Sequence, residues 1–553
     1  MAMELDDATR AELRPRLTPE QIRRLEPHGT REAVAKGAIL FDEGDREIDF
    51  FVVLAGSIEI CQYDGDGFRH VTRPDAGQFI GDTSTLSGRA AVVQARADED
   101  SEILRVPLAE LRRVVVEDSE LSDLLLRTFL IRRSFLIEAG HASIKVIGSR
   151  FARDTHRLRD FLTKNNQPHL FLDLEKDPEV AGLLEQFGVG VDETPIILHR
   201  DRHIYRNPPD ADVAHALGFD AVATADLSDV VVIGSGPAGL AASVYAASEG
   251  LTVTTIDTSG PGGQAGTSSK IENYLGFPTG ISGRDLANRA AIQAEKFGAR
   301  LANPVRAVRL ARSGANYEVE FADGRSIRSR AVVVATGARY SRLDVPGSDK
   351  FEGCGIYYGA TAMESELCSG SDVAIVGGGN SAGQGAVYLA RHARSVHVLI
   401  RRADLADTMS RYLIRRIEET PNIHLHPRTV IRALVGDDCL KGVELAESGG
   451  GDGPPATLDV SRLFLFLGAL PRTDWLAGTL AMDPKGFIKT GTDLTPDDLA
   501  RWPDGPAPTL FETSLPRVYA VGDARSGSVK RVASAVGEGS IVVQFIHRAL
   551  AEG

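Results

Sequence analysis

Cysteine is scarce in this chain of 553 residues. Its four cysteines are Cys61, Cys354, Cys368 and Cys439, and no two of them stand in Cys-x-x-Cys spacing. Cysteines scattered in this way support neither a disulfide scaffold nor a structural zinc site. We therefore expect four free, buried thiols.

Long hydrophobic runs and an excess of basic charge are also missing. The apolar runs Ala331–Val334 and Ile541–Ile546 are too short to span a bilayer, and Met1–Arg10 has no basic head before an apolar stretch. We expect a cytoplasmic protein without a membrane span. The 62 basic and 76 acidic residues give a net charge of −14, which disfavours nucleic acid as a partner.

The length of the chain predicts several domains, each with its own hydrophobic core. From about Leu17 to Val106, short β-branched and aromatic runs are separated by glycine turns, a pattern typical of an all-β roll. One amphipathic helical stretch is predicted from Pro107 to Ile137.

Three glycine-marked segments of this region, Gly37–Asp45, Phe51–Gly56 and Gly77–Asp82, together resemble the cyclic nucleotide-binding domain. In that family a glycine-glutamate pair holds the ribose, where this chain has an aspartate one methylene shorter, and an arginine pairs with the cyclic phosphate. The resemblance gives Gly81 and Asp82 the first role, but Ala91 stands at the arginine position and Arg89 lies two residues earlier. The domain is therefore expected to bind a cyclic nucleotide, to bind another effector, or to serve as a packing and dimerisation module.

The next region, about Ser143 to Gly218, alternates strand and helix and resembles the thioredoxin or glutaredoxin fold. Thr194-Pro195 stands where that family has a cis-proline. The expected redox position, Ser149–Ala152, has no cysteine, so a spacer, docking or signal-coupling role is predicted for this domain.

A dinucleotide-binding fingerprint follows. The strand run Asp229–Ile233 leads into a glycine loop and the helical stretch Leu240–Ser248, and Asp257 closes the next strand at the spacing of a ribose-binding carboxylate. The glycines permit the tight turn, the approach of a pyrophosphate and close helix packing. They are Gly234, Gly236 and Gly239.

The same order of elements then repeats. Strand Asp372–Val376 precedes a second loop, a helix predicted over Gly385–Arg394 and a strand that ends at Arg401 and Arg402. Arginine in place of an acid suits a 2′-phosphate, which favours NADP(H), although a pair of solvated surface arginines is the alternative. The loop residues are Gly377, Gly379, Asn380 and Ser381.

From about Asp226 onward the chain resembles the low-molecular-weight thioredoxin reductase family, flavoproteins with a nicotinamide domain inserted into the FAD domain. The resemblance implies FAD and NADPH as cofactors and a homodimer. The resemblance places Asp523, Lys530 and Arg531 beside FAD. The alternative for Asp523 is the N-cap of a nearby helix, and the alternative for Lys530 and Arg531 is a basic pair on the surface. The flavin-contacting residues that the resemblance implies are Gly263, Gln264, Asn273, Thr336, Gly337, Gly522, Asp523, Lys530, Arg531, Val532 and Ala533.

The departure from this family lies at its redox dithiol. Alignment through Ile356–Tyr358 puts Gly359 and Ala362 at the two cysteine positions, and Met363 at the position of the family's proton-donating acid. Glycine and alanine cannot exchange disulfides.

The prediction is thus a multidomain α/β protein: a β-roll over 1–140, a thioredoxin-like domain over 141–222, an FAD domain over 226–350 and 459–553, and a nicotinamide domain over 351–458. The sequence further predicts an NADPH oxidoreductase that delivers electrons to a quinone, oxygen or an electron carrier, and whose activity the β-roll controls. The alternatives are a reductase that uses a partner dithiol and a non-catalytic redox-sensing protein.

Overall fold

A computed structural model describes most of the chain. No helix within the part described is long and apolar enough to cross a membrane. The described residues are 12–63, 67–87, 90–138, 144–177, 179–200, 203–217, 227–268, 270–340, 343–351, 355–358, 368–437, 439–448, 456–467, 469–500, 502–503 and 506–551.

The N-terminal unit is a β-roll, as predicted. Two antiparallel sheets, with strand orders β1-β8-β3-β6 and β2-β7-β4-β5, enclose a core of aromatic and branched side chains. Strand β8 is covered on both faces, because the consecutive residues Ile103 and Leu104 point to opposite faces and are both buried. The elements are α1 Pro19–Leu25, β1 Thr30–Val34, β2 Ile39–Phe41, β3 Phe50–Ala55, β4 Ile58–Tyr63, β5 Phe68–Thr72, β6 Phe79–Ile80, α2 Thr83–Ser87, β7 Gln94–Ala97 and β8 Ser101–Val106.

Two helices follow where the sequence predicted one. They are α3 Leu108–Glu117 and α4 Ser119–Glu138. Asp118 interrupts the helix with an extended conformation, and its Oδ1 accepts hydrogen bonds from the backbone N–H groups of Glu120 and Leu121. An aspartate that caps the second helix satisfies N–H groups that a continuous helix would have paired internally.

The second unit has a mixed sheet of order β10-β9-β11-β12. Strand β9 is parallel to β10 and antiparallel to β11. The Thr194-Pro195 peptide is cis, as the thioredoxin resemblance predicted. The elements are β9 Ile144–Gly148, α5 Arg153–Lys164, β10 Leu170–Asp173, α6 Glu179–Gln186, β11 Ile196–His199, β12 His203–Arg206 and α7 Asp210–Leu217.

The third unit is built on a sheet of order β15-β14-β13-β18-β17-β16, with β29 parallel to β18. Because β13, β14 and β18 run parallel, their carboxyl ends meet at one edge, where α8 begins. The elements are β13 Ser228–Ile233, α8 Pro237–Ser248, β14 Val253–Ile256, α9 Gly283–Lys296, β15 Arg300–Ala302, β16 Ala307–Ser313, β17 Asn316–Phe321, β18 Ser326–Val334, β29 Val518–Ala520 and α12 Val532–Ala551.

The fourth unit has a parallel sheet of order β20-β27-β21-β22-β23 and an antiparallel sheet of order β24-β25-β26. Strands β19 Ala338–Tyr340 and β28 Ala469–Pro471 form the ribbon where the chain leaves and re-enters the third unit. The other elements are β20 Ile356–Tyr357, β21 Asp372–Val376, α10 Asn380–Leu389, β22 Ser395–Leu399, α11 Arg411–Glu419, β23 Ile423–His426, β24 Thr429–Gly436, β25 Leu440–Glu447, β26 Ala456–Leu458 and β27 Arg462–Leu465.

Two predictions in this unit need correction. Helix α10 begins at Asn380 and not at Gly385, because Gly379 is its N-cap and the glycines after it are tolerated inside the helix. Strand β27 pairs with β21, so the unit extends past the predicted boundary at residue 458.

The prediction of four free thiols is also wrong. Cys61 and Cys368 are buried and form no disulfide, but Cys439 is disulfide-bonded. Cys354 lies outside the described residues. Composition alone gave no sign of this bond, since the sequence has no closely spaced cysteines.

Candidate functional site

The first glycine loop connects β13 to α8. Gly234 has φ +109°, and a Cβ there would overlap the carbonyl oxygen of Ala335 at the end of β18. A Cβ on Gly239 would overlap the Gly234 carbonyl. Gly236 caps α8, so backbone N–H groups at the start of this helix point out of the loop. The loop therefore has the close packing that a bound pyrophosphate requires.

Two buried hydroxyls at this edge have no partner within the described residues. They are Oγ of Ser235, in the glycine loop, and Oγ1 of Thr336, just after β18. A buried hydroxyl without a hydrogen bond is costly. A ligand rich in polar atoms, such as a dinucleotide, would satisfy both.

Asp257 ties this loop to the turn after β14. Its Oδ2 accepts from the Ser235 N–H at 2.8 Å, and its Oδ1 accepts from the N–H groups of Ser259 at 2.9 Å and Gly260 at 3.1 Å. Both carboxylate oxygens are therefore used to order backbone at the place where the sequence predicted a ribose contact.

A second loop lies against the first. Gly263 has φ +52°, and a Cβ on it would lie 3.0 Å from the Cα of Gly236. Gln264 is half-buried and Asn273 is exposed. Glu272, beside Asn273, forms a 2.5 Å ion pair with Arg416 of α11, so the fourth unit contacts this loop directly.

The loop after β29 carries Asp523. Gly522 has φ +68°, and its N–H donates to Glu538 at 2.7 Å; Glu538 also forms a 2.6 Å ion pair with Arg525. Burial raises the pKa of Asp523. It lies in a 3₁₀ turn that ends before α12, so it does not serve as the N-cap of that helix.

Lys530 supports the same loop. Its Nζ donates to the Asp523 carbonyl and to Ser528 Oγ, each at 2.8 Å, and lies 4.4 Å from the ring centroid of Phe487. Arg531 and Ala533 are exposed, and Val532 begins α12. The sequence interpretation missed Arg525 and Glu538, although a glutamate between Gly537 and Gly539 was a visible signal.

The second glycine loop connects β21 to α10. Gly377 has φ +145°, and a Cβ on it would lie 2.6 Å from the Phe466 carbonyl oxygen. A Cβ on Gly379, the N-cap of α10, would meet nothing within 4 Å, so the space before this helix is open. Asn380 accepts from the Ser410 N–H at 2.7 Å, and Ser381 is exposed.

Arg401 and Arg402 follow β22, beside this loop, and both are exposed. Arg402 pairs with exposed Asp407 at 3.4 Å. Arg401 has no ion pair within the described part of the chain, so at least one guanidinium is available to a phosphate.

Gly359 and Ala362, which the sequence analysis predicts at the family's two cysteine positions, and Met363 lie outside the described residues. The strand before them, β20, contacts the second unit: the rings of Tyr357 and His156 are 6.5 Å apart. Arg462 of β27 lies 5.9 Å from the ring centroid of Phe151, within the cysteine-free segment Ser149–Ala152. The cysteine-free segment of the second unit therefore packs beside the fourth unit.

The effector residues predicted in the β-roll are placed in part. Gly81 and Asp82 line a cavity of about 420 Å³, whereas Arg89 lies outside the described residues. Asp82 pairs at 3.2 Å with Arg133, a buried residue of α4. Arg133 in turn donates from Nε to the Asn166 carbonyl of the second unit at 3.0 Å.

Comparison with known proteins agrees with this arrangement. The profile of the family described as "Pyridine nucleotide-disulphide oxidoreductase" matches residues 228–539, and that of the "Cyclic nucleotide-binding domain" matches residues 31–118. The chain is 30% identical to "Thioredoxin reductase" of Bacillus subtilis (strain 168) over 324 residues, 59% of this chain and 95% of that protein. It is 31% identical to "Bifunctional thioredoxin reductase/thioredoxin" of Mycobacterium leprae (strain TN) over 327 residues, 59% of this chain and 66% of that protein.

Solved structures give the same result. Lactococcus lactis thioredoxin reductase (FR conformation) superimposes with a TM-score of 0.52 at 26% identity, over 59% of this chain and 100% of that one. The T. acidophilum enzyme superimposes with a TM-score of 0.52 at 27% identity, over 58% of this chain and 98% of that one.

Proposed function

Since the chain belongs to the pyridine nucleotide-disulphide oxidoreductase family and is an oxidoreductase that uses FAD and NADPH, we propose that its electrons pass to an acceptor that is not a disulfide. That acceptor is a quinone, oxygen or an electron-carrier protein. When bound, FAD supplies the hydride-accepting chemistry, and the protein supplies binding, alignment and charge.

The observation that carries this proposal is the absence of Cys-x-x-Cys spacing anywhere in the sequence. Gly359 and Ala362 stand at the positions that align with the family's cysteines. Without a dithiol there, the usual relay of electrons to a disulfide substrate has no first acceptor. Cys61 and Cys368, which form no disulfide, are both buried, and burial also argues against their taking that role.

We assign FAD to the edge of the third unit. The glycine loop Gly234–Gly239 would hold the pyrophosphate, and Gly263, Gln264 and Asn273 would contact the flavin. Thr336 and Gly337, which follow β18, would also contact FAD. The ribityl chain of the flavin would run toward Gly522 and Asp523. The unpartnered hydroxyls of Ser235 and Thr336 support this assignment.

The chain's own residues hold this site in shape. The ion pair between Arg525 and Glu538 is largely buried, with 16% and 12% of the two side chains exposed, and it fixes the N–H of Gly522. Lys530 fixes the carbonyl of Asp523 from the other side. The Asp523 carboxylate is thereby presented as an acceptor for flavin hydroxyls.

NADPH is assigned to the second glycine loop, Gly377–Ser381, with Arg401 and Arg402 at the 2′-phosphate. The family resemblance implies that the fourth unit turns relative to the third to bring nicotinamide to the flavin. The ion pair between Glu272 and Arg416 would then stabilise one of the two orientations.

The N-terminal half is proposed to regulate this turn. The second unit contacts each of the others: Arg133 joins it to the β-roll, Asn165 to the third unit, and Phe151 to the fourth. An effector in the β-roll could therefore alter access to the flavin or domain orientation. The proposal includes a homodimer, by resemblance to the flavoprotein family.

Anaerobic reduction followed by an acceptor panel tests the proposal. NADPH should bleach the flavin of the purified holoenzyme, and a quinone, oxygen or a one-electron carrier should reoxidise it. Disulfides, with or without thioredoxin, should not. A protein without flavin, or one whose flavin NADPH does not reduce, would refute the proposed enzyme and favour the redox-sensing alternative.

A disulfide-reducing function is the second candidate, because Cys439 is disulfide-bonded. It lies between β24 and β25, in the fourth unit. Reoxidation of the flavin by disulfides in the same panel would favour this candidate.

A further inference from the structure

The β-roll encloses a cavity whose walls do not match a cyclic nucleotide. It measures about 420 Å³, within the range of small-molecule sites, and α4 closes one side with Phe135 and Leu136. Most of the lining is apolar: Phe41, Ile60, Val71, Ile80, Val93 and Phe135. A ribose and a cyclic phosphate would need several polar partners in these walls.

The polar groups in the walls are largely committed to the protein. Asp82 accepts from Arg133 and from the Ser84 N–H, and Thr85 Oγ1 accepts from the Asp82 N–H. Gln78 is used at both ends: it donates to the Arg14 carbonyl and accepts from the Asp75 N–H, each at 3.0 Å.

The position expected to hold a phosphate-binding arginine is closed. Ala91 is 5% exposed and has only a methyl group. Its N–H donates to the Asp45 carbonyl and its carbonyl accepts from the Gly44 N–H, both at 2.8 Å. The backbone there cannot reach a ligand without breaking these bonds.

Thr72 and Arg14 are lining residues whose side chains remain available among the residues described. The Thr72 hydroxyl is buried and has no hydrogen-bond partner within the described residues. The Arg14 side chain is exposed, and no ion pair is present for it in the described part of the chain.

Arg14 also faces a second cation. Arg132 lines the same cavity and donates to the carbonyls of Leu13, the residue before Arg14, and of Gly81. Burial lowers the pKa of Arg132 to about 10; Asp82 opposes that shift and Arg14 adds to it. Because Asp82 is already paired to Arg133, the two guanidinium groups of Arg14 and Arg132 favour the binding of an added anion.

We infer that this cavity binds an amphipathic carboxylate, a molecule with an apolar body in the cavity and one carboxylate at Arg14. It would touch Phe135 and Leu136, two and three residues after Arg133, whose side chain joins Asp82 to Asn166. The inference names the effector of the regulation proposed above and rests on that proposal only for any effect on turnover.

Calorimetric titration of the full-length holoenzyme tests the binding directly. Decanoate is the probe, decan-1-ol is the matched ligand without charge, and cyclic AMP and cyclic GMP are the competing class. Decanoate should bind, decan-1-ol should bind about tenfold more weakly because it lacks the charge-assisted contact, and neither cyclic nucleotide should displace decanoate.

Variants locate the site. Arg14→Gln should weaken decanoate about tenfold and leave decan-1-ol unchanged. Arg16→Gln is the matched control, because Arg16 pairs with Asp75 and does not line the cavity. Val93→Trp should fill the cavity and abolish binding of both ligands, and Val93→Phe, a smaller filling change that should weaken both, replaces it if the tryptophan variant does not fold.

Three results would overturn the inference: no binding of decanoate, equal binding of decanoate and decan-1-ol, or tight binding of a cyclic nucleotide in its place. Flavin reduction by NADPH is measured on the same samples. Its failure would refute the proposed enzyme, whereas loss of decanoate binding alone would refute only this inference.

Discussion

Asn165 of the second unit donates from Nδ2 to the carbonyl oxygen of Ser259 at 2.8 Å. Ser259 lies two residues after Asp257, whose carboxylate orders the first glycine loop. Asn165 is fully buried, and its Oδ1 accepts from the Asn303 side chain of the third unit. One side chain of the second unit therefore supports the turn next to the proposed FAD site.

Replacing Asn165 with alanine should destabilise both units. The Ser259 carbonyl and the Asn303 amide would each lose a partner, which predicts a loss of about 1–3 kcal/mol in the free energy of unfolding. Because the turn after Asp257 would loosen, FAD should also dissociate faster. Denaturant unfolding and the rate of FAD release measure the two effects.

Thr163→Val is the matched control for this change. The Thr163 hydroxyl donates to the Arg159 carbonyl within the same helix, and among the described residues it has no hydrogen bond to the third unit. FAD release from Thr163→Val should match that of the unaltered chain. If Asn165→Ala releases FAD no faster than this control, the second unit does not support the cofactor site.

Arg401 should determine the preference for NADPH over NADH. If it contacts the 2′-phosphate, Arg401→Ala loses a charge-assisted hydrogen bond, and KM for NADPH should rise about 10- to 100-fold. KM for NADH should barely change, since NADH lacks this phosphate. Steady-state kinetics with both nucleotides measure the difference.

Arg415→Ala controls for the general loss of positive charge in the same unit. Arg415 is exposed and pairs with Glu419 one helical turn away. A similar rise in the KM for NADPH in both variants would point to long-range electrostatics and reject the assignment of Arg401.

Asp523 should show opposite effects on stability and cofactor binding. Burial raises its pKa in the folded protein, so the charged carboxylate costs the folded apoprotein stability at neutral pH. Asp523→Asn should stabilise the apoprotein at pH 7, and this gain should vanish below about pH 4, where the unfolded carboxyl is also protonated.

The same substitution should weaken FAD binding by about 10- to 100-fold, because a charged acceptor is replaced by a neutral one. Unfolding of the apoprotein at the two pH values and titration with FAD separate the two effects. Unchanged FAD affinity would mean that Asp523 does not contact the cofactor.

The glycine loops could be predicted because they depend on local backbone conformation. Gly234 and Gly377 have positive φ angles and no room for a Cβ, and such demands leave a short, recognisable pattern in the sequence. The parallel strand before each loop follows from a continuous apolar run, such as Val230–Ile233 in β13.

The contacts between units could not be predicted in this way. Asn165 meets Ser259, and Arg133 meets Asp82 and Asn166, across long separations in sequence. Nothing in the residues next to Asn165 or Arg133 indicates such a partner. The break at Asp118 was missed because the apolar spacing continues across it, and only the capping role of the aspartate marks it.

The sulfur chemistry of the fourth unit has its own test. Cys439→Ser removes a disulfide-bonded cysteine. If electrons leave the flavin without sulfur, the rate of quinone reduction by NADPH should stay within about twofold of the unaltered enzyme, because the sulfur of Cys439 then takes no part in electron transfer. Stopped-flow reduction and reoxidation measure both half-reactions. A large loss confined to reoxidation would instead support the disulfide-reducing candidate.

The junction of the β-roll with the second unit should weaken in acid. His199 lies in β11 beside Arg200, which donates to the Glu43 carbonyl and pairs with the Glu43 carboxylate at 3.4 Å. Burial, with the nearby charges of Arg200 and His203, lowers the pKa of His199 to about 4. In the unfolded chain His199 binds a proton below its ordinary pKa of about 6.5, whereas in the folded protein it stays neutral down to about pH 4.

The contribution of His199 to the free energy of unfolding is fully present above about pH 6.5. It is lost as the pH falls toward 4, by at most about 1.4 kcal/mol per pH unit. His199→Gln should remove this part of the pH dependence, and His203→Gln, at an exposed position, should keep it. Urea unfolding of the three proteins between pH 4 and 7, taken as differences from the unaltered chain, isolates the effect from carboxylate titration. If the His199→Gln curve runs parallel to that of the unaltered chain, the histidine does not control the junction.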